Sequence, residues 1–277
     1  MMLSEFVSDW ESRISSTHSK ATVSSYHKDV RRFISWLGED LSDGIDASAL
    51  EDFDDHLKEI GLSISSRQRS FYAISNLFSF LKRRGFSVSG SVSPSRPRGT
   101  TPRRKAIPSQ VMEGIISGEK DVMYQAFFAI LSGTGARIGE ALALDVSDVD
   151  LGEMTIEISG SKGSGSRMIP LPSRTVDILD SYIKNHRRDA KIGSPLFVTR
   201  VGSRMSEKSA RKAWKKALIR VGNDGEFCMH QVRHRYGTDV VERGGLDVGQ
   251  ALLGHRSPSS TMRYSHPSIE RMRDAVA

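Results

Sequence analysis

Residues 87–108, SVSGSVSPSRPRGTTPRRKAIP, constrain this chain more than any other stretch of its 277 residues. Four of the nine prolines (Pro94, Pro97, Pro102, Pro108) fall there among five serines, and proline both lacks an N–H and clashes with the preceding helical turn, so no helix continues through it. The chain is therefore expected to fold as two units, residues 1–86 and 109–277, joined by a linker; the length also suits two domains. The linker carries Arg96, Arg98, Arg103, Arg104 and Lys105 and no acid. Residues 1–86 hold 11 basic and 13 acidic side chains, so the overall net charge of +7 comes from the linker and the second unit. A basic linker is either a solvated tether or a segment that lies along a phosphate backbone.

The charged fraction of 26% and hydrophobic fraction of 38% are those of an ordinary folded protein, which excludes wholesale disorder and fibrous repeats. The single cysteine, Cys228, excludes an intramolecular disulfide and suits a reducing interior. The N-terminal residues show no basic segment followed by an apolar run, and no stretch approaches the roughly 18 apolar residues of a membrane helix. A cytoplasmic protein with no membrane association is expected.

In the first unit apolar residues recur every three or four positions. Val23, Tyr26, Val30, Phe33, Ile34 and Leu37 form one stripe before Gly38, and Phe71, Ile74, Leu77, Phe78 and Leu81 another before Gly85. With a first helix over 3–14 and a shorter one from Asp46 to Leu57, the pattern predicts a four-helix bundle. Arg67, Arg69, Lys82, Arg83 and Arg84 on the last helix face either a nucleic acid or water.

The second unit is expected to be mainly helical with a small β-sheet. Val122 to Leu131 reads as a buried helix that breaks at Ser132-Gly133-Thr134-Gly135, with a new helix from about Arg137. Met154, Ile156 and Ile158 alternate with polar residues, SKGSGS makes a turn, and Met168 to Leu171 returns, which is a hairpin with Lys162 at its tip. Helical patterns follow at 175–182, 206–221, 230–241 and 248–253.

Four segments of this unit carry candidate chemistry. In TGARIGEALAL, Arg137 and Glu140 stand one turn apart, as a surface pair or as a guanidinium held by a carboxylate. Lys162 lies in the turn of the hairpin. In HQVRH, His230, Arg233 and His234 share a helical face; Gln231 stands where a zinc protease places its acid and Cys228 has no second thiolate beside it, which argues against a metal. In LLGHRSPSSTMRYSH, His255 follows a helix-ending Gly254, with Tyr264 downstream.

Taken in this order, T-G-x-R-I-x-E, a hairpin lysine, H-x-x-R-H, and L-G-H followed by T-x-x-Y-S-H resemble the tyrosine recombinases of the phage integrase and Xer type. The resemblance covers residues 137–266 in detail and the first unit in outline, as a helical, SAM-like core-binding domain. It implies two domains closing around duplex DNA as a C-shaped clamp, and a site-specific enzyme that cleaves and rejoins DNA through a 3′-phosphotyrosyl intermediate and a Holliday junction. By this resemblance Arg137, Arg233 and His255 hold the scissile phosphate, and Tyr264 is the nucleophile. Lys162 resembles the general acid for the 5′-oxygen, His230 a proton-transfer residue and Glu140 the carboxylate supporting the arginines. Chemistry of this kind needs neither a metal nor ATP, because the phosphotyrosyl ester keeps the energy of the broken diester. Arg67, Arg69, Arg83, Arg84, Arg96, Arg98, Arg103, Arg104 and Lys105 are candidate DNA contacts.

The chain departs from the usual pattern next to these residues. Arg235, Tyr236 and Gly237 stand where a small hydroxyl residue, an aromatic and often an alanine follow the second arginine, and Ala136 stands where a leucine often precedes the first. The tail after Pro267 places Ile269, Met272 and Val276 at helical spacing, which fits packing on its own domain or, as in such recombinases, docking on a neighbouring copy within a tetramer on two duplexes. Two other functions remain open on the sequence: a non-cleaving DNA-binding regulator on the same scaffold, and a type IB topoisomerase.

Overall fold

The computed structural model describes residues 3–38, 47–85, 105–160, 165–255, 258–262 and 264. The chain divides into two compact units, residues 1–103 and 104–277, each around its own core.

The first unit has four described helices, α1 (Leu3–Ser15), α2 (Lys20–Leu37), α3 (Ala47–Glu59) and α4 (Ile64–Arg83). Serines start two of them: Ser19 Oγ accepts the Thr22 N–H at 3.3 Å, and Ser63 Oγ accepts that of Ser66 at 3.3 Å, which satisfies donors that have no partner inside the helix. Gly38 ends α2 at φ 92°, a backbone region that costs glycine little. The two sequence stripes meet in the core, where Phe33 lies edge-on to Phe53 and Phe78 with ring centres 5.0 and 5.8 Å away. Trp10 joins them, with Nε1 donating to Asn76 Oδ1 at 2.8 Å. Each such large side chain contributes roughly 1.5–3 kcal/mol by leaving water.

Two arginines of α4 pair with carboxylates of this unit, Arg67 inside the packing and Arg69 at its exposed edge. Arg67 Nη1 donates to both carboxylate oxygens of Asp54 on α3, at 2.8 and 2.7 Å, and is buried. Arg69 Nε donates to Oδ2 of the fully buried Asp29 on α2 at 2.7 Å, while Arg32 reaches Oδ1 at 3.2 Å. Arg83 and Arg84, at the end of α4, are exposed.

The second unit contains α5 (Ser109–Ser117), α6 (Val122–Thr134), α7 (Ile138–Ala143), a single 3-10 turn, β1 (Val149–Asp150), β2 (Thr155–Ser159), β3 (Ser166–Pro170), α8 (Ser173–His186), α9 (Glu207–Arg220), α10 (Met229–Leu253) and α11 (Pro258–Met262). The fold is mainly α with one three-stranded antiparallel sheet, ordered β1-β2-β3. β2 and β3 pair with Ile156 opposite Ile169 and Ile158 opposite Arg167; all three isoleucines are fully buried, as the period-two pattern predicts. α6 is buried on nearly every side, and its Phe127 and Phe128 meet Phe197 and Trp214 edge-on at 5.3 and 5.5 Å.

Three elements carry no signal in the sequence reading. α5 is nine residues long with three buried apolar positions, β1 is two residues and α11 five, all too short for a periodic pattern. The two helices expected at 230–241 and 248–253 are both present within α10, separated by a break at Gly245, whose φ of 89° and ψ of 177° are not helical. Of the segment 87–108, residues 105–108 are described and belong to the second unit. Ile107 is fully buried, and the carbonyls of Lys105 and Ile107 accept hydrogen bonds from Gln231 and Arg235 of α10. Among the described residues no helix is long and apolar enough to cross a membrane.

Candidate active site

The break after α6 creates the site. Gly135 adopts the left-handed conformation at φ 60°, and a Cβ there would stand 2.3 Å from Tyr236 Cδ1, so both backbone and space require glycine. The turn aims the Gly135 carbonyl at α10, where it accepts from Arg233 Nη1 at 2.8 Å. It also places Arg137 at the start of α7. Glu140, one turn into that helix, accepts the Arg137 backbone N–H at 2.9 Å through Oε2 and the Arg137 guanidinium at 2.6 Å through Oε1. A glutamate at this position returns a hydrogen bond to the helix start. Arg137 keeps 41% of its side chain exposed, whereas Glu140 is only 2% exposed.

Arg233 comes from α10 and is 3% exposed. Besides Gly135, its Nη2 donates to Leu253 O at 2.7 Å and lies 3.1 Å from His255 Nε2. A guanidinium has no acceptor, so Nε2 accepts and Nδ1 carries the proton that faces Thr261 Oγ1 at 2.9 Å. The left-handed Gly254, φ 63°, turns the chain from α10 into His255.

Tyr264 is 4% exposed and packs with Val241 and Leu253. Its ring stacks on His255, centres 5.9 Å apart and 10° between planes, and meets the His234 ring edge-on at 5.2 Å. Gly237 makes room, since a Cβ there would come within 3.0 Å of Tyr264 Cζ. The glycine standing where an alanine is usual thus admits the tyrosine ring against α10.

Arg167 of β3 belongs to the same cluster, and the sequence reading missed it. Its Nη2 donates to Glu140 Oε2 at 2.8 Å and its Nε to Leu252 O at 2.9 Å. One signal was available: in a period-two strand Arg167 shares its face with the buried Ile169, and an arginine pointing inward requires an acceptor.

The charges do not balance. Among the described residues three guanidiniums, those of Arg137, Arg167 and Arg233, surround the single carboxylate of Glu140, with Arg233 Nη1 3.9 Å from Oε2. Burial pushes the Glu140 carboxyl up, but the hydrogen bonds from Arg167 and from the Arg137 backbone and guanidinium overcome this and hold it at about 2. Burial and the neighbouring Arg137 bring Arg233 down to about 10, against the opposing pull of Glu140 and Tyr264, so it stays cationic at neutral pH. Such an excess of fixed donors suits an anion, above all a phosphate whose charge grows during a reaction.

The structure thus brings Arg137, Glu140, Arg233, His255 and Tyr264 into one cluster. His230 is exposed in the first turn of α10, one turn before Arg233. Lys162 lies outside the described residues, in the connection closed by the Gly160 N–H to Gly165 O bond at 2.8 Å. Arg96, Arg98, Arg103, Arg104 and the tail beyond Tyr264 also lie outside them. Lys105 is exposed. Among the described residues no three His, Cys, Asp or Glu side chains gather as metal ligands do.

Known proteins resemble this chain along most of its length. The sequence pattern of the phage integrase family matches residues 107–271, and that of the N-terminal SAM-like domain of phage integrases matches residues 9–85. The tyrosine recombinase XerD of Corynebacterium glutamicum is 30% identical, covering 92% of this chain and 90% of its own; the tyrosine recombinase XerC of Pelobacter propionicus is 28% identical over 92% and 87%. Among solved structures, a lambda integrase dimer bound to a core site superposes with a TM-score of 0.80 at 16% identity, covering 97% of this chain and all of that one. The Tn1549 transposon integrase in complex with transposon right-end DNA gives 0.79 at 20% identity, over 100% and 98%. These structures share the fold, and the sequence matches set the kinship: the chain belongs to the phage integrase family, and it is a tyrosine recombinase, an enzyme of site-specific DNA recombination.

Proposed function

We propose that the cluster around Arg233 cleaves and rejoins double-stranded DNA at a specific site, with Tyr264 as nucleophile. The observation that carries this reading is the surplus of guanidiniums over carboxylate beside a tyrosine stacked on His255. The Tyr264 oxygen attacks the scissile phosphorus and the bond to the 5′-oxygen breaks, which leaves a 3′-phosphotyrosyl ester and a 5′-hydroxyl. Arg137 and Arg233 hold the non-bridging oxygens as charge builds up, joined by His255 once a proton on Nε2 turns that nitrogen from acceptor to donor. Lys162 gives a proton to the departing 5′-oxygen, and His230 takes the phenol proton. Attack by the 5′-hydroxyl of another strand restores the diester, passes through a Holliday junction, and uses neither metal nor ATP.

Residues 1–86 serve as the core-binding domain and 87–104 as the linker, and the catalytic domain runs from 105, four residues earlier than the sequence alone suggests, because Ile107 is buried in its core. Arg69, Arg83, Arg84, Arg96, Arg98, Arg103, Arg104 and Lys105 contact phosphates, while Arg67, buried and held by Asp54, positions α4. Four copies assemble on two duplexes in the nucleoid, with residues 267–277 docking on a neighbour; unchanged synapsis and cleavage after truncation at His266 would contradict that assembly.

A nicked suicide duplex carrying a sequence that the protein selects from a random pool tests the reaction. Wild type is expected to give a DNA-shifted protein band on a denaturing gel, and Tyr264→Phe none. A site bound tightly with no covalent band would point to a non-cleaving DNA-binding regulator.

A further inference from the structure

Arg167 is anchored on two sides of the site. Through Nη2 it holds Glu140 Oε2 at 2.8 Å, the same oxygen that accepts the Arg137 backbone N–H. Through Nε it holds Leu252 O at 2.9 Å, one of the last carbonyls of α10, which have no partner within the helix. The next carbonyl, Leu253 O, is taken by Arg233. Two guanidiniums therefore close this helix end, where the dipole favours positive charge, and Gly254 turns directly from them into His255. The fit is tight: a Cβ on Gly254 would stand 3.1 Å from both Cδ and Nη1 of Arg167.

We propose that Arg167 is a positioning residue for strand cleavage, fixing Glu140 and the end of α10 relative to each other so that Arg137 and His255 address the same phosphate. The proposal rests on the strand-cleavage reading above. A lysine cannot replace it, since an ammonium is a single point on a flexible stem, whereas the planar guanidinium donates in two set directions. Without Arg167, the charge of Glu140 turns toward Arg233, already 3.9 Å away, and draws that guanidinium off His255. The loss falls on rate more than on affinity. Arg167 is 11% exposed, and DNA affinity is spread over many phosphate contacts.

The test uses the full chain with Arg167→Lys, Arg167→Met, Glu140→Gln and the double variant Glu140→Gln/Arg167→Lys, on the nicked duplex that wild type cleaves. Adduct formation at saturating protein is expected to slow about 100-fold in both Arg167 variants, the scale of a small misplacement of catalytic groups. Kd, from mobility shift, is expected to stay within about twofold, because phosphate contacts elsewhere set it. Because Arg167 acts through Glu140, the double variant is expected to be no slower than the slower single one. A wild-type rate in Arg167→Lys, additive losses in the double variant, or a defect confined to Kd would each overturn the proposal. So would the absence of a cooperative unfolding transition in both Arg167 variants, which would make the residue one of folding alone. Absence of adduct in wild type is a different result: it removes the strand-cleavage reading and this proposal with it.

Discussion

Asp29 and Glu140 are both carboxylates taken out of water and both held by arginines, yet their surroundings differ in one respect. Asp29 binds Arg32 and Arg69, side chains that are 24% and 43% exposed, so water shares in balancing their charge. Glu140 stands among Arg137, Arg167 and Arg233, and Arg233 is turned away from water with neutral carbonyls and an imidazole as its other partners. The first arrangement carries one surplus charge, which water shares, and ties α2 to α4. The second has positive charge to spare at a point where a tyrosine is waiting, which is what separates a structural ion cluster from an anion site.

Substitution of the arginines sharpens that contrast most. Arg233→Gln is expected to slow adduct formation about 100- to 1,000-fold, the usual cost of removing one preorganised donor. Arg69→Gln is expected to leave the cleavage rate of bound DNA unchanged in the same single-turnover assay.

Removal of the carboxylates comes next. The Glu140 carboxyl is held at about 2 instead of 4.5, which corresponds to about 3 kcal/mol of stability. Because the folded-state value is depressed, that contribution is complete above pH 4.5 and disappears as pH falls toward 2. The stability gap between wild type and Glu140→Gln, measured by urea unfolding, is therefore expected to be about 3 kcal/mol near pH 6 and to shrink steadily below pH 4.5. A gap that stays constant down to pH 3 would contradict the ion cluster. Asp29→Asn is expected to cost less, about 1–2 kcal/mol, since its arginines regain water.

The smallest effect belongs to the surface. Arg84 pairs with Asp9 at 3.2 Å with both side chains more than half exposed, so Arg84→Ala is expected to leave unfolding unchanged. If Arg84 meets a phosphate, the slope of log Kd against log salt falls by about one.

How much of this was legible in the sequence depends on chain distance. The stripes ending at Gly38 and Gly85 announce helices because each is a local pattern, and Gly135 and Gly254 announce helix ends for the same reason. Of the residues that gather at the site, Arg137, Glu140, Arg233, His255 and Tyr264 stand out by the order of their motifs, and Arg167 does not. What could not be read is which arginines have partners. Arg67 and Arg69 find theirs 13 and 40 positions away, and Arg167 reaches back 27 residues to Glu140 and ahead 85 to Leu252. A surface arginine and a clamped one look alike until the chain is folded. The break at Gly245 is legible for the opposite reason, since the helical patterns on either side of it are local.

If the surplus guanidinium charge neutralises a phosphate, Arg137 is the place to see it, because its partly exposed side chain can be removed without opening the core. Adduct formation by wild type and Arg137→Ala would be compared on two nicked duplexes, one with the natural phosphate and one with a neutral methylphosphonate at the scissile position. The account predicts a penalty of about 100-fold on the phosphate that falls below about 10-fold on the methylphosphonate, where there is less charge to stabilise. An equal penalty on both substrates would contradict it.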